Sequence, residues 1–162
     1  MKKKTLIICL SAGIVALAMI AALAAAIFRK EIWDINADKL KKSFQMISGN
    51  AIIDDLSQWT PFEWDTLYSF APYTAKDSIY EVIGYRWDNI SETVNEGMNQ
   101  IVFVNDGKVV CYLYGYPDNL KMGFDFGNYN GSYYLRLTSE QKISFSTAIS
   151  DQGVRYFKYI QE

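Results

Sequence analysis

An α+β domain behind a membrane-spanning helix is the fold class that the sequence predicts, and three observations carry it. An uncharged apolar run of 24 residues, Thr5 to Phe28, stands between Lys2-Lys3-Lys4 and Arg29-Lys30. Two stretches with helical spacing follow it. From Gln100 onward, β-branched and aromatic runs alternate with tight-turn residues. Together they predict an N-terminal transmembrane helix, then two short helices packed on an antiparallel β-sheet meander. The expected division is residues 1–30 as a membrane anchor with basic flanks and 31–162 as a single exported α+β domain.

At about 1.5 Å per residue, the run from Thr5 to Phe28 reaches across a hydrocarbon core of roughly 30 Å. The alternative is a cleaved signal peptide, since Ala22-Leu23-Ala24 and Ala24-Ala25-Ala26 both fit a small-x-small cleavage pattern. The run is longer than an ordinary signal core, which favours a retained anchor. Lipid attachment at Cys9 is disfavoured because Ile7-Ile8 precede it. Cations are nearly matched on the two sides. A short basic start before an alanine-ended apolar segment therefore decides for an inside N-terminus and an extracytoplasmic C-terminal domain in a single-pass membrane protein.

The first helix is predicted after Asp34 or Asn36 as cap, with Leu40, Phe44 and Ile47 on one face and Gly49-Asn50 as stop. Short β-like stretches follow at Ala51 to Ile53 and Trp64 to Phe70. Thr74 reads as the cap of a second helix, in which Ile79, Val82 and Ile83 precede Gly84. Asp88, Glu92 and Glu96 would repel along one helix face, so residues 85–99 read as loop. Asn105-Asp106-Gly107 between Ile101–Val104 and Val109–Tyr114 predicts a hairpin whose glycine takes a positive φ. Further strands are expected at Tyr133 to Leu137, Ile143 to Ile149 and Val154 to Ile160.

Composition removes whole classes of chemistry. Residues 31–162 hold eighteen carboxylates against eleven Lys and Arg, a net charge of −7, which disfavours nucleic acid as a partner. With no histidine, Ser-His-Asp, Cys-His and His-zinc sites are excluded. The two cysteines fall one in the apolar run and one, Cys111, in a strand, so no disulfide forms within the domain.

The stretch Phe62-Glu63-Trp64-Asp65, then Phe70-Ala71-Pro72-Tyr73-Thr74, Ile79 to Gly84, Trp87 and the Ile101 to Val110 hairpin resembles a family of small bacterial proteins. These are membrane-anchored or lipoprotein-like and have no assigned activity. The resemblance covers about residues 60–115 and implies attachment to a membrane without supplying a catalytic residue. More loosely, a threonine-capped helix ending in Ile83-Gly84, followed by a hairpin with an Asp106-Gly107-Lys108 turn, is similar to the BamE/SmpA-type assembly lipoproteins. Those proteins follow the helix glycine with a proline and a tryptophan-bearing strand. Here Tyr85-Arg86-Trp87 follows and no lipidated cysteine is present, so the similarity is one of fold elements.

Glu63 and Asp65, near Asp54-Asp55, are the candidate carboxylates for acid–base hydrolysis. On a strand they share a face opposite Trp64, which reads more simply as a buried tryptophan with a polar outer face. Asp125-Phe126-Gly127 spells a kinase metal-binding triplet without the motifs that accompany it. Asp88, Asn89, Glu92 and Glu96 match no calcium loop. Neither a catalytic residue nor a metal or cofactor is expected. The excess is aromatic: 25 Phe, Trp and Tyr. Trp59, Phe62, Tyr73, Tyr85 and Trp87, set in loops and element ends, are the expected binding residues. The function this implies is a non-enzymatic, membrane-anchored extracytoplasmic interaction domain with a protein partner. The alternatives are a carbohydrate- or peptidoglycan-binding module and, third, a carboxylate-dependent hydrolase.

Overall fold

The computed structural model describes residues 17–20 and 30–161. The chain divides into two compact units, Met1–Glu31 and Ile32–Glu162. In the first, residues 17–20 are helical. The remainder of the predicted membrane span, Thr5 to Phe28, lies outside the described residues. Among the described residues no helix is long and apolar enough to cross a membrane.

The second unit is α+β, built on two four-stranded sheets. Sheet I has the order β4-β3-β2-β6, with β2 at Thr66–Phe70, β3 at Asn99–Asn105, β4 at Lys108–Gly115 and β6 at Tyr134–Thr138. Sheet II has the order β1-β7-β8-β5, with β1 at Ile52–Ile53, β5 at Met122–Asp125, β7 at Ser144–Ile149 and β8 at Arg155–Ile160. The helices are α1, Ile32–Gln45, α2, Lys76–Ile83, and one short turn, α3, Pro117–Leu120.

The single antiparallel meander expected from the sequence is therefore corrected on two counts. Sequence neighbours β5, β6 and β7 do not form a ladder: β6 crosses to pair with β2, while β5 pairs in parallel with β8. Local patterning marks a segment as a strand but carries no information about its partner. The parallel pairing depends on Gly123, where a Cβ would lie 2.8 Å from the Tyr156 ring. Glycine lets that ring lie across β5.

The hairpin is as expected. Asp106 (φ 48°) and Gly107 (φ 67°) both take the left-handed region, as a two-residue turn matching strand twist requires. Both helix caps differ from expectation. Asn36 lies inside α1, buried, and its Nδ2 donates to the Val110 carbonyl at 2.9 Å. Thr74 lies one residue outside the Ala75 cap position and donates to the Ala71 carbonyl. The Glu92 carboxylate, sixteen residues further along the chain, accepts from the Lys76 N–H at the start of α2 (2.9 Å).

Sheet I is buried on both faces, so the alternation expected of a half-exposed strand is missing and β3 is buried from Asn99 to Val104. On one face Leu67, Ile101, Phe103, Cys111, Leu113 and Leu137 meet α1 (Leu40, Phe44) and sheet II (Ile53, Phe145, Phe157), forming an inner core. On the other, Phe70, Val102, Val104, Val109 and Tyr112 meet Ile79 and Ile83 of α2 and Ile90 of the following loop, forming an outer core.

Side chains close three of the sheet edges. Asn36 serves β4. Asn99, buried at the start of β3, donates to Met122 O (3.0 Å) and accepts from Phe124 N (3.0 Å), as an added strand would. Its amide also donates to Gly115 O, which ties the two sheets together. On β6, Ala71 donates to Tyr133 and Ser139 to Asp65, so the N–H groups of Tyr134, Arg136 and Thr138 face outward. Ser132 Oγ takes the first and Gln141 Oε1 the third. The exposed charge of Arg136 stands at the second.

Candidate functional site

The five aromatic residues expected to bind are not brought together. Trp59 and Phe62 are half-buried against the inner core, Phe62 meeting Phe103 edge-on at 5.4 Å. Tyr85 and Trp87 are half-buried against the outer core, on the opposite face of sheet I. The Tyr85 hydroxyl accepts from Val109 N–H (2.9 Å), and Trp87 meets Trp33 and Tyr112 edge-on. Only Tyr73 is exposed, at 61%. Two cores take up most of the aromatic excess, which a single core would have left on the surface.

Tyr73 has company from the residues at the start of β6. It sits at φ 64°, a left-handed conformation rare for a bulky side chain, with its N–H on Thr93 Oγ1 (2.9 Å). The neighbouring segment is pinned to the start of β6, since Ala71 N–H and Thr74 Oγ1 both reach the Tyr133 carbonyl. Tyr133 is 42% exposed and meets Tyr134 at 5.3 Å, which in turn meets Tyr68 at 6.1 Å. One end of sheet I thus carries a run of partly exposed tyrosines. Its sequence signal was present in Tyr129-Asn130-Gly131-Ser132-Tyr133-Tyr134, but chain order does not show that this loop lands beside Pro72-Tyr73.

Beside this rim lies a cleft of about 280 Å³, where the ends of β2 and β3 meet β5 and the loop after it. Its apolar lining includes Phe70, Phe124 and Phe126, and its polar lining Ser69, Asn99, Gln100, Asp125 and Tyr129. Ser69 and Tyr129 share a hydrogen bond of 2.9 Å, and the Tyr129 hydroxyl donates to the Phe70 carbonyl (3.3 Å). Burial raises the Tyr129 pKa, with the Ser69 bond opposing this and the Asp125 charge adding to it. Tyr129 is therefore a neutral hydroxyl and no base near neutral pH.

Of the four carboxylates weighed for hydrolysis, Glu63 and Asp54 are exposed, and Asp65 and Asp55 have structural positions. Asp65 Oδ2 accepts the Asp106 N–H of the hairpin turn (2.8 Å), and Asp55 caps the 3-10 turn Leu56–Gln58 through Ser57 N–H. Trp64 is buried, its Nε1 donating to Thr60 Oγ1 (2.8 Å). Asp125 Oδ1 accepts from Gly127 N–H, which explains the Asp-Phe-Gly triplet as a local turn. Among the described residues no group of three or more acidic or cysteine side chains could hold a metal ion. Cys111 is buried, and desolvation pushes its thiol well above the ordinary range, as for a small core residue. No family model, curated protein or solved structure matches the chain.

Proposed function

We propose that residues 31–162 form the extracytoplasmic interaction domain of a single-pass, membrane-anchored protein, and that it binds a protein partner without catalysing a reaction. The observation that carries this reading is the tyrosine rim at one end of sheet I. Exposed tyrosines are costly to solubility and supply more interface energy per side chain than most residues. Here two of them, Tyr73 and Tyr133, stand on backbone that hydrogen bonds hold in place. The anchor rests on the length and flanks of Thr5 to Phe28.

A glycan-binding module is the second reading, favoured by the hydroxyl-lined cleft beside the rim. The ring angles favour the protein. Tyr133 and Tyr134 stand 62° apart and Tyr68 and Tyr134 61° apart, whereas a sugar platform needs aromatic faces in one plane.

Photo-crosslinking tests the reading in intact membranes. A benzophenone amino acid at position 73 or 133 is expected to give the same discrete protein adduct, with none from position 152 in the exposed turn before β8. Equal labelling from all three positions would reject the rim as an interface. Protease protection of a C-terminal tag reports the side of the membrane, and resistance in cells stripped of outer membrane and wall, with cleavage only after lysis, would reject the extracytoplasmic placement.

A further inference from the structure

The cleft beside the tyrosine rim has an uneven supply of hydrogen-bonding groups. The side-chain donors on its lining are engaged within the protein. Both Asn99 N–H bonds go to Gly115 and Met122 carbonyls. The Tyr129 hydroxyl goes to Phe70 O, which leaves the Ser69 proton for Tyr129 and Ser69 Oγ as an acceptor. Gln100 turns its amide to the outer face of sheet I, where it donates to Ser91 O, and so brings no side-chain donor to the cleft. Asp125 is exposed and uses one carboxylate oxygen on Gly127. What remains is acceptor capacity and one negative charge, between aromatic walls and with no Lys or Arg on the lining. A ligand that fits must bring donors and positive charge.

We propose that the cleft takes a lysine or arginine side chain from a basic segment of the protein partner. This rests on the partner reading above. The aliphatic stem of such a side chain packs on Phe124 and Phe126, and the charged end bonds Asp125 and Ser69. A volume of about 280 Å³ accommodates one long side chain with its flanking backbone and not a folded element. The net charge of −7 on residues 31–162 draws a basic segment toward the domain, while the acceptors in the cleft fix where it docks.

The test uses the full-length protein in neutral detergent and three capped pentapeptides, Gly-Ser-Lys-Ser-Gly and its arginine and norleucine counterparts, with binding read by ligand-observed NMR. The lysine and arginine peptides are expected to bind and the norleucine peptide not to. Added NaCl should weaken the binding. Asp125→Asn keeps the oxygen that accepts from Gly127, and should weaken binding about fivefold without shifting the thermal midpoint. Equal binding of lysine and norleucine peptides, or no effect of salt and of Asp125→Asn, would overturn the proposal. So would binding of a chitin oligosaccharide, lost in Asp125→Asn, in place of the peptides, which would assign the cleft to a glycan. Discrete crosslinks from positions 73 and 133 without peptide binding would reject the cleft and leave the partner reading standing. Peptide binding without those crosslinks would reject the rim alone.

Discussion

The two faces of sheet I are covered by different chemistry. Seven phenylalanines, Phe44, Phe62, Phe103, Phe124, Phe126, Phe145 and Phe157, pack in or against the inner core, with Tyr159 the one tyrosine there. The outer core has one phenylalanine, Phe70, and is rimmed by Tyr68, Tyr80, Tyr85, Tyr114 and Tyr134 around the buried Tyr112. The cover explains the difference. Strands and α1 satisfy their own backbone groups and need only apolar surface from the layer beneath. The loop after α2 has no ladder, and its polar backbone would be left unpaired against a hydrocarbon face. Tyrosine supplies both terms. Tyr112 Oη accepts from Ser91 N–H (3.1 Å) and donates to Ser91 O (3.3 Å), and Tyr114 donates to Glu92 O (2.8 Å). A sheet can thus carry an irregular cover when its outward side chains are aromatic and hydroxylated.

The largest expected effect tests the closed side. Phe145 is fully buried among Phe124, Phe126 and Tyr159. Phe145→Ala should cost about 3–5 kcal/mol, read as a fall in denaturant midpoint, because the cavity lies between two sheets that cannot close over it. A cost under about 1 kcal/mol would mean the inner core is no more rigid than the outer.

Asn99 separates sheet-to-sheet docking from core packing. Asn99→Ala leaves the Phe124 N–H and the Met122 carbonyl without partners and should cost about 3 kcal/mol. Its signature is local: amide exchange at Phe124 should accelerate far more than exchange within β3. Uniform acceleration would show that the two sheets unfold as one and that the clip has no separate role.

On the outer side the hydroxyl is the part to remove. Tyr112→Phe keeps the ring against Trp33 and Trp87 and deletes the bonds to Ser91, so it should cost about 1 kcal/mol and raise amide exchange at Ser91 with little change in β7 and β8. Burial pushes the Tyr112 pKa up to about 12, with its hydrogen bonds opposing the shift. The folded state therefore holds the proton more tightly than the unfolded chain, whose tyrosines titrate near 10. This contribution is fully present below pH 10 and is lost as pH rises from there through about 12. Between these values wild type should lose more stability than Tyr112→Phe. Parallel pH profiles would remove the latch from the account of the outer core.

Much of this contrast was legible in the sequence and some was not, for definite reasons. Turn and stripe signals are local, so the Asp106-Gly107 hairpin, the apolar face of Leu40 and Phe44 and the end of α2 at Gly84 could be read directly. The unbroken run Ile101-Val102-Phe103-Val104 reads as a strand of a half-covered sheet, and only the structure shows that its missing alternation comes from two covered faces. Pairing depends on surface complementarity between distant segments, so nothing near β5 or β6 announced their partners. The same holds for Glu92, which caps α2 across sixteen positions, and for Asn36, which bonds β4 across seventy-four instead of capping α1. Trp59 and Trp87 were judged exposed from their place in loops. Loops that cover a second core bury their aromatics as strands do.

Tyr73 gives the smallest stability effect and the most direct test of the proposed interface. Its left-handed backbone costs a non-glycine residue about 1 kcal/mol, and its exposed ring returns little of that through packing. Tyr73→Gly relieves the strain, while glycine gives up roughly 0.5 kcal/mol more backbone entropy on folding. The expected result is a thermal midpoint unchanged or raised, by on the order of 0.5 kcal/mol. The crosslinked adduct formed from position 133 should weaken in the same variant, because the rim loses its most exposed ring. If Tyr73→Gly instead lowers the midpoint by about 1 kcal/mol or more and leaves the adduct intact, Tyr73 belongs to the structural tyrosines of the outer core and the rim loses its centre.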